Sequence, residues 1–177
     1  MQGSSTVAAK VEEKLSHEGI KVKKDLNRGL DHGAWTLLRH LYPEANIPVV
    51  QVSIDSNLSI EEQIKIGSAL KTLGDEDILI IGSGNTVHNL NLVDFEAVSN
   101  DSWAEEFDDW LINRLKENDF NSLYNYRDQA PNADLAVPSP EHFVPLFIAL
   151  GSSSLLIPRV IFREYELGNL SRLCLEF

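Results

Sequence analysis

Two β-branched apolar runs with a helical segment between them constrain the fold of this chain most. The runs are residues 47–54 (IPVVQVSI) and 78–81 (ILII), and each has the composition of a buried strand. Between them, Ser59 and Glu62 have the spacing of a capping box, which predicts the start of an amphipathic helix. Strands that alternate with helices are typical of an α/β fold with a central, largely parallel or mixed sheet flanked by helices. We expect a single α/β domain over residues 1–177.

The remaining segments predict further elements of both kinds. The expected N-caps are Ser5, Ser102 (with Glu105 completing a second capping box) and Ser139. The helices are predicted at 6–17, 35–41, 103–117 and 140–150, and the strands at 20–25, 159–165 and 171–176. In helix 103–117 we expect the acidic residues to face solvent, namely Glu106, Asp108 and Asp109.

Charge and composition narrow the class of protein. The net charge is −12, from 27 acidic and 15 basic residues, which argues against nucleic acid and anionic membranes as partners. The one cysteine, Cys174, cannot form an internal disulfide, and its apolar surroundings predict burial. There is no apolar stretch of about 20 residues and no secretory signal pattern. These features predict a cytoplasmic protein.

Three of the five histidines stand where a loop meets a predicted element. They are His32 in GLDHGAW, His88 in GSGNTVHNL and His142 in PSPEHF. Histidine in such a position is a common metal ligand or proton carrier. A structural role, with the ring bonded to a loop carbonyl or exposed beside a cap, is the alternative for each of them. The other two, His17 and His40, fall within helical segments and are expected to be structural.

The GSGN turn after the apolar run 78–81 allows two interpretations. A phosphate-binding turn for dinucleotides would need a third glycine where Val87 stands, and no Gly-Lys-Ser/Thr follows, so we expect no nucleotide. A tight turn at the end of a strand is the favoured interpretation. Gly82 and Gly84 would then place Asn85 and His88 at the sheet edge where α/β proteins bind ligands.

The three histidine motifs occur in an order that resembles a known family. GLDHGAWTLLRHLYPEANIPVVQVSID, SGNTVHNL and PSPEHFVPLFIALG are similar to the 4,5-DOPA extradiol dioxygenase group of the class III (LigB-type) ring-cleaving dioxygenases. The resemblance covers residues 26–151 and continues more weakly to the C-terminus. It implies the LigB-type fold and an enzyme that opens catecholic rings with dioxygen.

The resemblance also implies a mononuclear non-haem metal, Fe(II) or Zn(II), and roles for particular residues. His88 and His142 match family histidines that bind the metal. His32 matches one that lines the substrate pocket and handles protons. Supporting roles are implied for the remaining polar neighbours: Asn85 and Asn89 would orient His88, and Asp31 or Glu141 could add to the metal or substrate contacts.

Two metal-site motifs of that family, G-H-G-S-P and S-A-H-W, do not occur in this sequence. The chain thus resembles about the last two-thirds of a family member, an N-terminally truncated form. Two functions follow as hypotheses. One is a dioxygenase whose metal site is completed by another carboxylate or chain. The other is a catalytically inactive remnant that serves as a binding or interaction module. We expect a second copy of the chain to cover the sheet edge that truncation would expose, giving a homo-oligomer.

Overall fold

The computed structural model describes residues 1–155 and 157–177. Over this part of the chain, helices dominate and the strands are short and near the C-terminus. The α-helices are α1 (Ser5–His17), α2 (His32–Leu41), α3 (Ile60–Leu70), α4 (Ser102–Glu117), α5 (Phe120–Tyr124), α6 (Tyr126–Gln129), α7 (Ala133–Ala136) and α8 (Pro145–Ser152). Short 3-10 helices cover Lys71–Glu76, Leu90–Leu92 and Pro140–His142. The strands are β1 (Arg159–Phe162), β2 (Tyr165–Glu166), β3 (Leu170–Ser171) and β4 (Cys174–Glu176).

The strands form two antiparallel pairs. β1 pairs with β4, with Val160 opposite Leu175 and an irregularity in register after Val160. β2 pairs with β3, with Tyr165 opposite Ser171. The predictions of strands at 159–165 and 171–176 therefore identified the correct part of the chain, although each prediction covers two short strands rather than one.

The predicted strands at 20–25, 47–54 and 78–81 are wrong, because these segments carry no strand in the described residues. A strand needs a neighbour that exchanges hydrogen bonds along its length. In segment 47–54, the Val49 N–H donates to the Gln2 carbonyl, which is a single bond and not a ladder. The central sheet that we expected from these runs is therefore not formed by the described residues. The runs are not buried either, and Ile47, Val52, Leu79 and Ile81 are exposed.

The main core lies among α4, α7 and α8 and the segment before α8. Three phenylalanines at its centre, Phe107, Phe143 and Phe147, are at most 1% exposed, and their rings meet edge to face. A second, smaller cluster joins α1 to the end of α3 and the 3-10 turn after it. Its members are Val11, Leu15, Leu70 and Leu73. The main core forms the base on which the segments at 84–89 and 140–144 rest.

α3 and α8 pack closely through two glycines. A Cβ on Gly67 would lie 2.1 Å from the Ile148 carbonyl oxygen, and one on Gly151 would lie 2.2 Å from that of Ile64. Each distance is far below van der Waals contact, so neither position admits a side chain without moving a helix. None of the helices in the described part of the chain is long and apolar enough to cross a membrane.

Helix starts match the sequence predictions in part. The capping box of α3 is confirmed, with Ser59 and Glu62 bonding reciprocally. In α1 the cap is Ser4 and not Ser5, one residue earlier than predicted. The second predicted capping box is wrong: α4 begins after Asp101, and the Glu105 carboxylate accepts a bond from Asn100 instead.

The predicted helix 140–150 is wrong in its first half. Residues 140–142 form a 3-10 helix, and the α-helix begins only at Pro145. A proline within a helix clashes with the preceding turn, whereas the first helical position tolerates it, so Pro145 starts a new helix. Ser139 makes no cap bond, and its hydroxyl donates to the Glu141 carboxylate at 2.7 Å. The burial predicted for Cys174 is also wrong, because Cys174 is exposed on β4.

Candidate functional site

The loop at residues 84–89, here called the histidine loop, carries His88 next to the segment of His142. The Asn85 N–H donates to the His142 carbonyl at 2.8 Å. A Cβ at Gly84 would lie 2.0 Å from that same carbonyl oxygen. The two backbones touch because residue 84 has no side chain. The sequence turn GSGN thus allows the close approach of two backbones.

The imidazoles of His88 and His142 are in contact. Their ring centroids are 3.9 Å apart and the ring planes differ by 23°, so the rings are stacked. Both side chains are partly buried. Burial lowers the pKa of His88, as does the neighbouring His142, while the nearby Glu141 carboxylate opposes the shift. His88 is therefore biased towards neutral imidazole, the form that binds metals.

Glu141 lies within electrostatic reach of both rings. Its pKa is lowered chiefly by the bond from the Ser139 hydroxyl, then by its own backbone N–H, and further by His142 and His88. The carboxylate is exposed and remains ionised near neutral pH. Among the described residues, Glu141 is thus an acidic group close to the histidine pair.

His32 is the first residue of α2 and is exposed. Its ring meets that of Trp35 edge to face, with centroids 5.3 Å apart. The start of α2 lies against the chain just before the histidine loop, because the Ser83 hydroxyl donates to the Gly33 carbonyl at 2.7 Å. This bond joins the residue after His32 to residue 83, directly before the histidine loop.

Asp31 bonds to groups other than His32. Its carboxylate accepts from the Arg28 guanidinium at 2.6 Å and from the Gln51 side-chain amide at 2.5 Å. These bonds fix the chain before α2 and leave His32 to be oriented by its contact with Trp35.

Asn85 and Asn89 hold the histidine loop at both ends. The Asn85 side-chain amide donates to the Ser171 carbonyl at 2.6 Å. The Asn89 side-chain amide donates to the Leu135 carbonyl at 2.9 Å, and its oxygen accepts from the N–H two residues later. Their partners are backbone groups and not the His88 ring, so they position His88 through the loop. The His88 N–H itself donates to the Ala136 carbonyl at 2.9 Å.

The candidate metal donors at this site are the two imidazoles. Two neighbouring imidazoles suit zinc or ferrous iron by donor type, but such sites normally take at least three protein ligands. Within residues 1–155 and 157–177 there is no cluster of three or more His, Cys, Asp or Glu side chains that could hold a metal. The described residues therefore bring together two candidate donors, His88 and His142.

A buried carboxylate beneath the histidine loop was missed by the sequence interpretation. Asp108 was expected on the solvent face of α4 but is 0% exposed. Helical periodicity gave the signal for its burial, because Asp108 shares a face with Ala104, Leu111 and Leu115, all of which are buried. Because Asp108 is acidic, the sequence interpretation placed it on the solvent face instead. The burial is possible because three hydroxyl groups donate to the carboxylate.

Comparison with known families assigns the chain to a class. The model of the family described as the catalytic LigB subunit of aromatic ring-opening dioxygenase matches residues 1–171. The chain belongs to this family, whose extradiol dioxygenases depend on a non-haem metal. The family relationship suggested by the three histidine motifs is confirmed.

Individual relatives show the same relationship. The chain is 43% identical over 152 residues to a 4,5-DOPA dioxygenase extradiol of Beta vulgaris, covering 85% of this chain and 57% of that protein. It is 35% identical over 179 residues to the protein of the same name from Escherichia coli K12, covering 98% of this chain and 65% of the relative. The chain thus spans about three-fifths of the length of these curated relatives.

A solved structure supports the fold class. The crystal structure of an uncharacterized protein from Escherichia coli K12 matches with a TM-score of 0.86 and 34% identity, over 98% of this chain and 72% of the other. The predicted α/β class and LigB-type fold are therefore confirmed, although the strands of the described residues are the two C-terminal pairs.

Proposed function

We propose that this chain forms the histidine-bearing part of an extradiol dioxygenase that opens the ring of a catecholic, DOPA-type substrate. One observation carries the proposal: the stacking of His88 on His142, in a chain that belongs to the LigB family. The two histidines come from separate motifs, and each is positioned by bonds to its backbone. We assign both as ligands of a mononuclear non-haem Fe(II) or Zn(II).

The residues of the chain have distinct tasks in this proposal. The chemistry that a non-haem metal supplies in such enzymes is to bring a catechol and dioxygen together at one centre. His88 and His142 offer two imidazole nitrogen donors, and Asn85 and Asn89 keep the loop that carries His88 in place. His32, exposed at the start of α2, is assigned to substrate contact and proton transfer.

The second candidate is a family member without catalysis that acts as a binding or interaction module. The observation in its favour is the number of metal donors, since the described residues bring together two histidines and not three ligands. In this case the stacked histidines would be a structural contact, and the chain would bind no metal on its own.

Metal stoichiometry separates the two candidates. The chain would be loaded anaerobically with Fe(II), or with Zn(II), then desalted, and the metal measured by mass spectrometry. The dioxygenase proposal expects close to one metal per chain, lost in His88→Ala and in His142→Ala. His40→Ala is the matched control, because His40 is an exposed histidine within α2.

Two outcomes would contradict the ligand assignment. Wild-type chain without bound metal would favour the binding module, and full occupancy in His88→Ala would place the metal elsewhere. If metal is bound, oxygen consumption with a catechol in the Fe(II)-loaded chain tests the reaction itself. Consumption that is equal in wild type and His88→Ala would refute the proposed active site.

We further propose that the chain is a cytoplasmic homo-oligomer without nucleic-acid or membrane partners. All four side chains of β1 are exposed, including Val160, Ile161 and Phe162, and a second copy would cover them. The net charge of −12 supports the absence of polyanionic partners. Light scattering over a range of concentrations tests self-association, and a monomer at every concentration would contradict it.

A further inference from the structure

Asp108 is a fully buried acid next to the candidate site, and the proposed ligand set gives it no task. We propose that Asp108 is a positioning residue, which anchors Thr86 and Ser171 so that the histidine loop holds the His88 ring against His142. This inference rests on the proposed function, since it assigns the residue that maintains the metal-binding pair. Asp108 does not touch the reacting groups and acts through the loop.

The carboxylate of Asp108 is held in one orientation by three hydroxyl donors. The Thr86 hydroxyl donates to Oδ1 at 2.5 Å. The Ser171 and Tyr165 hydroxyls donate to Oδ2 at 2.6 Å and 2.8 Å. Each hydroxyl carries one proton, so all three bonds are best satisfied when the carboxylate only accepts. Three short hydrogen bonds to one buried carboxylate hold it in place and make this cluster rigid.

The first link from Asp108 to the histidine loop runs through Thr86, which is buried and lies two residues before His88. The second runs through Ser171, whose N–H donates to the Val87 carbonyl at 3.0 Å. The loop is therefore attached to the same carboxylate by a side chain and by a neighbouring strand.

The attachment extends to the other histidine. The Ser171 carbonyl accepts from the Asn85 side chain, and the Asn85 N–H donates to the His142 carbonyl. Asp108 is thus connected to the backbones on both sides of the stacked pair. If the histidine loop were not held in place, the His88 ring could move away from His142. The contact between these two side chains consists of the stacking of two partly buried rings.

Arg163 supports the Tyr165 hydroxyl, which is one of the three donors to the carboxylate. Its guanidinium donates to the Tyr165 hydroxyl oxygen at 3.0 Å and to the Glu105 carbonyl at 3.0 Å. It also pairs with Asp109 at 2.6 Å. Because the arginine occupies the Tyr165 oxygen as a donor, the Tyr165 proton is left for the bond to Asp108.

Thr86→Val is the variant that tests this role, because it keeps the shape of the side chain and removes only the hydroxyl. Thr86→Ser is the rescue variant, which restores the donor. Ser122→Ala is the matched control: Ser122 is also buried, and its hydroxyl donates to the Asp119 carboxylate at 2.6 Å, away from the histidine loop. Asp108→Asn is a second variant, to be used if Thr86→Val does not fold.

The first measurement is made on the chain without metal, by NMR. Ring protons of His88 and His142 should show a nuclear Overhauser effect in the wild type, because the rings are stacked. We expect Thr86→Val and Asp108→Asn to lose most of this signal, while Thr86→Ser and Ser122→Ala keep it. An undiminished signal in a folded Thr86→Val or Asp108→Asn chain would overturn the inference.

The second measurement is Zn(II) affinity, by competition with a chromophoric chelator. We expect about a 10-fold to 100-fold loss in Thr86→Val, the range usual for groups that orient metal ligands, and no comparable loss in Ser122→Ala. Equal losses in both variants would mean that Asp108 only stabilises the fold. If the wild type binds no zinc but the ring contact still depends on Thr86, the ligand assignment fails and the positioning role stands.

Discussion

Gly84→Ala should separate the two histidine segments, because there is no space for a methyl group at this position. An added Cβ would lie 2.0 Å from the His142 carbonyl oxygen and 2.9 Å from its carbonyl carbon. The obstacle is backbone, which cannot turn aside as a side-chain end can. Forcing a carbon into a packed contact costs about 1–3 kcal/mol, and breaking the Asn85 to His142 hydrogen bond costs about 1 kcal/mol more.

The expected loss in the free energy of unfolding is therefore about 2–4 kcal/mol. For a domain of this size it corresponds to a decrease in Tm of roughly 4–16 °C, which thermal unfolding followed by circular dichroism would detect. The control is Gly29→Ala, since a Cβ at Gly29 meets nothing within 4 Å. If Gly84→Ala unfolds at the temperature of Gly29→Ala, the close backbone contact between the two segments is not present in solution.

Three further predictions concern burial, helix packing and pH. Asp108→Ala should lower the free energy of unfolding, measured in urea, by about 3 kcal/mol or more, because it leaves buried hydroxyls without an acceptor. The control Asp109→Ala should lower it by less than about 1 kcal/mol, because the ion pair of Asp109 is exposed. Gly67→Ala should cost about 1–3 kcal/mol by forcing α3 away from α8, and a cost near zero would contradict the packing of these helices. Acidification below pH 6.5 should destabilise the wild type more than His88→Asn. The pKa of His88 in the folded chain lies below its ordinary value of 6.5, so the unfolded chain binds more protons just below that pH. The free energy of unfolding therefore rises with pH across this window. If the free energy of unfolding changes equally in the two proteins between pH 7 and pH 5, the last prediction is contradicted.

The elements that the sequence predicted well are those whose signals are local. The capping box of α3 needs only Ser59 and Glu62 at the right spacing, and both bonds form. The main helices lie close to their predicted positions for the same reason. The family relationship rested on three motifs, and each of them is short and contiguous in the chain.

The predictions that failed depend on partners distant in sequence. The runs at 47–54 and 78–81 have strand composition, but strand formation depends on a neighbouring strand that no local pattern reveals. The burial of Asp108 likewise depends on hydroxyls from Thr86, Tyr165 and Ser171, two of which are more than 50 residues away in the chain. A charged residue on a helix is usually exposed, and only the tertiary structure shows when its charge is satisfied.

The contact between His88 and His142 combines both kinds of information. Sequence motifs identified each histidine, yet neither motif implied that the rings would stack. Their approach follows from Gly84, which allows the backbones to touch, and from the Asn85 N–H, which closes the contact. A change that preserves both histidines can therefore still abolish the pair, because the two rings that we propose as metal ligands meet only where these backbone contacts hold their segments together.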